Sequence, residues 1–528
     1  FEVGERHGLK RVVCINPDGL MNDEALQFSG LDRFVCRREV VQFLENLNLI
    51  EKVESIKHAV GHSERSDSIV EPYLSKQWFV KMDSLAKSVL ELQKKDDKIN
   101  FIPPRFEKIL IGWMENVHDW CISRQLWWGH QIPIWYKGDE LVASIESPGD
   151  GFVQDPDVLD TWFSSALWPF STLGWPDDLD MRYFPNNCLV TGYDIIFFWV
   201  SRMIVMGLEF TDLKPFNDVL IHGILRDNQG RKMSKSLGNG VDPMDVIDQY
   251  GADTLRFFLA TNGAPGQDMR YDEEKIKATW NFINKLWNAS RYVLMNENSV
   301  EESVYDRWIL DKMDKLNAKV RKHMDKYEFN IVGMEIYHFV WHEYCDWYLE
   351  FSKLNRNDKV LREVLVNILK LLHPFMPFVT EEIYGSLGFY DSIMISEYPI
   401  ISDFNDRKAV TEVEAVKDII SRIRNLKAEL KMVRFELINN FFDKSIIENN
   451  RLVIEKMLKC QFVEQSDFLQ KELAFEKGNI IVCYEGVSND EKRKKLLAEK
   501  LELEQSIKRR EDLLSNENYL KKAPKAIV

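Results

Sequence analysis

The chain lacks any apolar run approaching the ~18 residues that a membrane-crossing helix needs, and no basic-then-apolar leader opens it, so a soluble protein is expected. Its seven cysteines, Cys14, Cys36, Cys121, Cys188, Cys345, Cys460 and Cys483, include no CxxC pair. That scatter supports neither a zinc knuckle nor a disulfide framework, and it fits a reducing cytoplasm. Positive charge is also short: 69 Lys and Arg against 84 Asp and Glu leave a net charge of −15. Such a balance argues against general affinity for nucleic acid, because phosphate contacts need clustered cations. Any RNA contact must come from a local patch, and the C-terminal run offers Lys492, Arg493, Lys494, Lys495, Lys508, Arg509 and Arg510. Internal repeats and low-complexity tracts are absent as well.

What is present is size and pattern. With 528 residues and 45% hydrophobic content, the chain can bury large cores and is expected to divide into about three or four domains. Residues 1–75 read as a small mixed segment with a helix from Asp32 through Leu49, whose apolar positions Phe34, Val41, Leu44 and Leu47 recur at helical spacing. His62 has no second ligand nearby and reads as part of a structural turn. Residues 76–271 hold nine tryptophans before position 180, a density that reads as core, with some rings free to wall a small apolar pocket. Residues 272–404 are helical almost throughout, a bundle of four or five helices with apolar stripes at Trp280, Ile283, Leu286 and Trp287 and at Val364, Ile368 and Leu371, and with Glu343 and Asp346 read as solvated or capping carboxylates. Residues 405–487 read as a small α/β appendage, and 488–528 as a charged helix with a heptad seam at Leu496, Leu503, Ile507 and Leu514.

Two strand-to-loop units carry the chemistry. Cys188 to Thr191 is a short apolar strand, Gly192 is its exit, and Asp194 opens a helical run through Met206. In an open α/β sheet, ligands bind beyond the carboxyl ends of strands and beside helix N-termini. Asp194 there holds a ribose hydroxyl or an ammonium, or else caps the helix; spacing alone leaves both open. Ile195 and Trp199 stand four apart on one helical face, either lining a pocket or packing in a core. The second unit, Asp218 to Gly223, brings His222 and Gly223 to the same kind of edge, and the turn Asp227-Asn228-Gln229-Gly230 leads into Arg231-Lys232-Met233-Ser234-Lys235-Ser236-Leu237-Gly238-Asn239. Cations and hydroxyls on a loop leaving a strand suit a polyphosphate, whose growing charge they can neutralise. A lone KxxK would read only as an exposed basic turn.

The whole string is more specific. Lys-Met-Ser-Lys-Ser followed by Leu-Gly-Asn resembles the second signature of the class I aminoacyl-tRNA synthetases. Together with WCISRQLWWGH, DVLDTWFSS, TGYDIIFFWVSRM and GADTLRF, it is similar over the whole chain to the valyl members of that family. The resemblance implies the second half of a Rossmann-like nucleotide-binding fold, an all-α anticodon-binding bundle and a C-terminal coiled-coil arm against the tRNA. Residues 1–75 then correspond to the end of an inserted editing domain. It further implies that Lys235 is the chief phosphate contact, assisted by Lys232, Ser234 and Ser236. Gly192, Asp194, His222 and Gly223 would approach ATP or adenylate, while Trp162, Asp194, Ile195 and Trp199 would hold valine. ATP with magnesium enters as a substrate, and no tightly bound metal is expected. The implied partners are tRNA(Val), valine and ATP, and the implied protein is a cytoplasmic monomer.

Two departures bear on activity. The family's first ATP signature, a His-x-Gly-His string, occurs nowhere in these residues, and neither does the acidic editing string. The first residue, Phe1, falls in mid-pattern and reads as the continuation of a longer protein. The competing readings are an isoleucyl or leucyl relative, or a module that binds tRNA without chemistry; a coiled-coil scaffold would leave the lysine loop unexplained. The chain by itself is therefore expected to show no valine-dependent ATP–pyrophosphate exchange, and exchange above background by the purified chain would contradict this.

Overall fold

The computed structural model describes residues 2–63, 66–234, 237–295, 301–485 and 489–515, with the side chains of 489–495 outside the described set. Two compact units are built from interleaved segments. The first comprises residues 1–100, 107–188 and 194–217, and the second 101–106, 189–193 and 218–528.

In the first unit, the helix Arg33–Asn46 starts where expected, because the Asp32 carboxylate accepts the backbone N–H groups of Phe34 and Val35. Its apolar stripe is not buried, however. Phe34, Val41 and Leu47 are exposed and only Cys36 is covered. His62 does form a turn, its Nδ1 lying 2.8 Å from the Asp67 carbonyl. Beyond residue 76 come the helices Asp83–Leu92 and Arg105–Glu115 and a set of two- to four-residue strands. Ile134–Lys137 pairs antiparallel with both Glu140–Ala143 and Val153–Gln154, and Ser123–Arg124 pairs with Val158–Leu159. The tryptophan-rich stretch is only partly core. Of its nine indoles only Trp120 is buried, and Trp127 and Trp128 are 97% and 83% exposed. Ring size favours burial, but adjacent rings at a loop tip have no second layer to pack on. The helix Ser201–Thr211 is buried on all sides from Ser201 to Gly207, the polar Ser201 and Arg202 included.

Strands Asn100–Ile102, Phe216–His222 and Asn186–Gly192 form a sheet in that order. The helix Ser201–Thr211 joins the last two, giving the expected strand–helix–strand unit. The central strand is the most apolar, with Phe216, Val219, Leu220 and Ile221 all buried. Further along the second unit, Pro243–Tyr250 is a helix capped by Asp242 with proline in its first turn, and it ends at Gly251, whose φ of 87° is left-handed.

The helical region has five main helices between 272 and 404: Glu273–Val293, Val304–Met324, Phe329–His338, Asp358–Leu372 and Pro377–Ser386. The third continues as ten π-helical residues, Phe339–Tyr348. Val364, Ile368 and Leu371 are fully buried, as their spacing predicts. On the first helix the spacing misleads: Trp280 and Trp287 are exposed, and the buried face is Ile276, Thr279, Phe282, Leu286 and Val293. The core of this bundle runs without a break into the helix Arg407–Leu430 and the antiparallel sheet Phe435–Asn440, Gly478–Tyr484, Leu469–Phe475. Asp346 is solvated, as expected, and also pairs with Lys285 at 2.6 Å, whereas Glu343 is half-buried and ion-paired to Lys417 at 2.5 Å. Asn489–Leu514 is a single helix on which Leu496, Leu503, Ile507 and Leu514 are exposed.

Candidate active site

Each unit carries part of the predicted site. In the first, the two indoles assigned to the side-chain pocket are tied to one short helix, Thr161–Ser165. Trp162 belongs to that helix and stacks on Phe198, centroids 6.0 Å apart and planes 22° apart. Trp199 donates its indole N–H to the carbonyl of Ser165 at 3.1 Å and packs against Trp168 at 6.0 Å. Both rings are half-buried, as is Ile195. The chain reaches Trp199 through a π-helical turn, Ile196–Val200, closed by the Ser201 N–H on the Ile196 carbonyl. Such turns widen a helix locally and recur at functional sites. Asp194 lies inside the short 3-10 turn Tyr193–Ile195 and is exposed. Among the described residues it makes no capping bond and no ion pair, so the helix-cap alternative is not what this structure contains. A carboxylate left in water at this position remains open to an outside partner.

In the second unit, Gly192 is buried at the end of its strand, and His222 is exposed at the end of the other, its Nδ1 2.8 Å from the Gly223 carbonyl. Gly223 is crowded on one side: a Cβ there would lie 1.9 Å from the Gln267 carbonyl oxygen, so glycine is what lets the 267–268 backbone pass against it. Asp268 then knits this edge together. It accepts from the Ile224 N–H at 2.9 Å, from Arg226 Nε at 2.5 Å and from the Tyr193 hydroxyl at 3.4 Å.

The lysine loop grows from a stem built on Asp227. One carboxylate oxygen accepts the N–H groups of Gln229 at 3.0 Å and Arg231 at 2.7 Å. The other accepts Arg231 Nε at 2.8 Å and Asn239 Nδ2 at 3.0 Å. These donors, Asn239 first and then Arg231, hold the carboxyl at about 2, well below its ordinary value. Asn239 clasps the far leg of the loop too: its amide nitrogen reaches the Lys232 carbonyl at 3.3 Å and its oxygen accepts the Ser234 N–H at 3.0 Å. Lys232 is exposed and has no ion-pair partner among the described residues, so its charge is available. Ser234 Oγ accepts the Leu237 N–H at 3.3 Å. Lys235 and Ser236 lie outside the described residues, as do the side chains of Lys492, Arg493, Lys494 and Lys495; Lys508, Arg509 and Arg510 are exposed on the last helix.

An open cleft of about 700 Å³ borders the stem, lined by Asp227, Arg231, Asn239 and Arg270 among others, and none of the predicted site residues that are described lines it. No group of three or more His, Cys, Asp or Glu side chains suited to a metal ion occurs among the described residues. Asp227, Asn239 and Asp268 were missed as site-building residues. Asn239 is visible in the Leu-Gly-Asn string, but nothing in a linear string says that its amide faces back across the loop.

With this geometry in place, the matches to known proteins fall on the same segments. Residues 23–148 and 137–272 match the family described as tRNA synthetases class I (I, L, M and V), and residues 306–434 match the anticodon-binding domain of tRNA ligase. A crystal structure of Mycobacterium tuberculosis methionyl-tRNA synthetase bound by methionyl-adenylate shares the fold. Its TM-score is 0.51 at 22% identity, over 62% of this chain and 66% of that one. The chain belongs to the class I tRNA synthetases. Within them it stands in the valine--tRNA ligase family. It is 46% identical to the Valine--tRNA ligase of Bacillus subtilis, over all of this chain and 64% of that protein. It is 49% identical to that of Anoxybacillus flavithermus, over all of this chain and 65% of that protein, and 53% identical to that of Bacillus cereus over 81% of this chain. The chain thus spans just under two thirds of the length of the curated relatives that it matches from end to end.

Because Asn239 joins both legs of the loop to Asp227, Asn239→Ala should loosen the loop and leave the rest of the unit intact. Amides of 231–237 are expected to exchange with deuterium at least about tenfold faster in the variant, with the helix Asp358–Leu372 unchanged. Unaltered exchange over 231–237 would contradict the stem assignment.

Proposed function

We propose that the complete protein joins valine to tRNA(Val) in two steps, and that this chain supplies the lysine loop, the side-chain pocket and the tRNA-binding parts. In the first step a carboxylate oxygen of valine attacks the α-phosphorus of ATP, the α–β bridging bond breaks, and pyrophosphate leaves with valyl-adenylate remaining. In the second, a hydroxyl of the terminal ribose of tRNA attacks the activated carbonyl and AMP departs. Neither step needs a covalent protein nucleophile. The enzyme's contribution is to hold the reacting groups and to neutralise charge as it moves onto the leaving group.

The observation that carries this reading is the loop stem. Asp227 and Asn239 fix both legs of a hairpin that presents Lys232, exposed and unpaired among the described residues, three positions before Lys235. Cations held in this way are preorganised for pyrophosphate, with Ser234 and Ser236 adding hydroxyl donors. ATP arrives as its magnesium complex, a substrate rather than a resident cofactor. Gly192, Asp194, His222 and Gly223 serve the nucleotide and adenylate, with Asp194 the carboxylate nearest the amino acid's polar end. Trp162, Ile195 and Trp199 form the wall that measures a branched aliphatic group; the coupling of both indoles to the helix Thr161–Ser165 supports a single rigid surface.

For tRNA, the reading assigns the bundle and the helix Asn489–Leu514 as the contact surface, with Lys508, Arg509 and Arg510 meeting phosphates and the helix packing as one strand of a coiled-coil arm. No described helix is long and apolar enough to cross a membrane. A cytoplasmic, monomeric enzyme is the setting proposed.

The test is amino-acid-dependent ATP–pyrophosphate exchange by the complete protein. Valine should support exchange with a kcat/KM exceeding that for isoleucine or leucine by at least about a hundredfold, since an added methylene must be forced against packed indoles. A preference for isoleucine or leucine would overturn the assignment of substrate.

A further inference from the structure

The short helix that carries Trp162 begins at Asp160, and the placement of that residue is unusual. Aspartate at a helix start ordinarily turns back to accept the first free N–H groups of the helix. Asp160 makes no such bond. Its side chain points inward instead and is one of the few buried carboxylates of the unit, at 7% exposure. There it accepts the indole N–H of Trp120 at 3.1 Å and stands 3.2 Å from the Arg124 guanidinium. The Trp120 ring is covered in turn by Arg202, 4.1 Å from its centroid and also 7% exposed. The Arg202 guanidinium bonds to Met82 Sδ at 3.5 Å; burial pulls it down to about 10, and the Asp160 charge opposes that shift. The backbone of Asp160 is fixed as well, its N–H donating to the Ile122 carbonyl at 2.7 Å.

This network gathers three separated strings. Trp120 and Arg124 come from WCISR, Asp160 from DVLDTW, and Arg202 from FWVSR, three positions after Trp199. A buried charge without partners is costly, so a network of this kind tolerates one arrangement of the elements that meet in it. Those elements are the ones that hold Trp162 and Trp199.

We propose that Asp160 is a positioning residue for amino-acid recognition: through Trp120, Arg124 and Arg202 it sets the angle of the helix Thr161–Ser165, and so the spacing of the two indoles that measure the substrate side chain. The inference rests on the reading of Trp162 and Trp199 as the valine wall. It assigns Asp160 a role in selectivity although the residue touches no substrate. A carboxylate that only maintained the fold would affect valine and ATP alike, whereas one that sets the wall affects valine alone.

The experiment is pyrophosphate exchange by the complete protein, with KM for valine and KM for ATP measured separately in three variants. Asp160→Asn keeps the shape and removes the charge; it should raise KM for valine by about tenfold and leave KM for ATP within about twofold. Trp120→Phe keeps the ring beneath Arg202 and deletes only the N–H donor to Asp160; it should move KM for valine in the same direction by a smaller factor and provides the test if the charge change prevents folding. Trp162→Ala tests the underlying reading and should raise KM for valine strongly. Unchanged valine KM in Asp160→Asn and Trp120→Phe, beside a large rise in Trp162→Ala, overturns the role of Asp160 and leaves the pocket standing. Equal rises for valine and ATP in the first two variants also overturn it. No effect of Trp162→Ala removes the pocket itself.

Discussion

A single carboxylate underlies the lysine loop. Asp227 receives four hydrogen bonds, two from the backbone N–H groups of Gln229 and Arg231 and two from the side chains of Arg231 and Asn239. A loop rich in cations has no reason to hold a defined course, because its charges repel one another and its hydroxyls compete for the backbone. Four bonds to one ionised acceptor supply that reason, and each is of the stronger, charge-assisted kind. The loop is then fixed at its base, beside the exposed Lys232.

The first unit uses the same device. Asp160 also collects donors from segments distant in sequence, and its neighbours, Trp120 and Arg202, are buried with it. Both carboxylates are buried, Asp227 at 6% exposure and Asp160 at 7%. Asp268 is a more exposed example, joining Tyr193, Ile224 and Arg226 at the edge of the sheet.

Much of this was legible in the chain. The strand ends at Gly192 and His222, the capped helix after Asp242, and the buried stripe through Val364, Ile368 and Leu371 follow from periodicity and turn chemistry, which are local. What failed was what depends on neighbours. Trp280 and Trp287 have the spacing of a core stripe yet face outward, because the bundle covers the face through Phe282 and Leu286. Trp127 and Trp128 look like core by composition and lie at a loop tip. The approach of the Gln267 carbonyl to Gly223 has no local signal either. For Asp194, spacing left cap and ligand contact equal, and among the described residues it makes no capping bond. The networks around Asp160 and Asp227 join residues from 2 to 120 positions apart, and no period in the sequence encodes such pairings.

The central claim is that charge on the loop acts when pyrophosphate leaves rather than when ATP binds. Single-turnover formation of valyl-adenylate, followed by rapid quench in the complete protein with Lys235→Ala, separates the two. The account predicts a rate constant lower by about ten- to hundredfold, the loss of one charge-assisted contact of ~1.5 to 3 kcal/mol made in the transition state, with the Kd for ATP within about threefold of the parent protein. An unchanged rate constant, or a loss confined to the Kd for ATP, would contradict it.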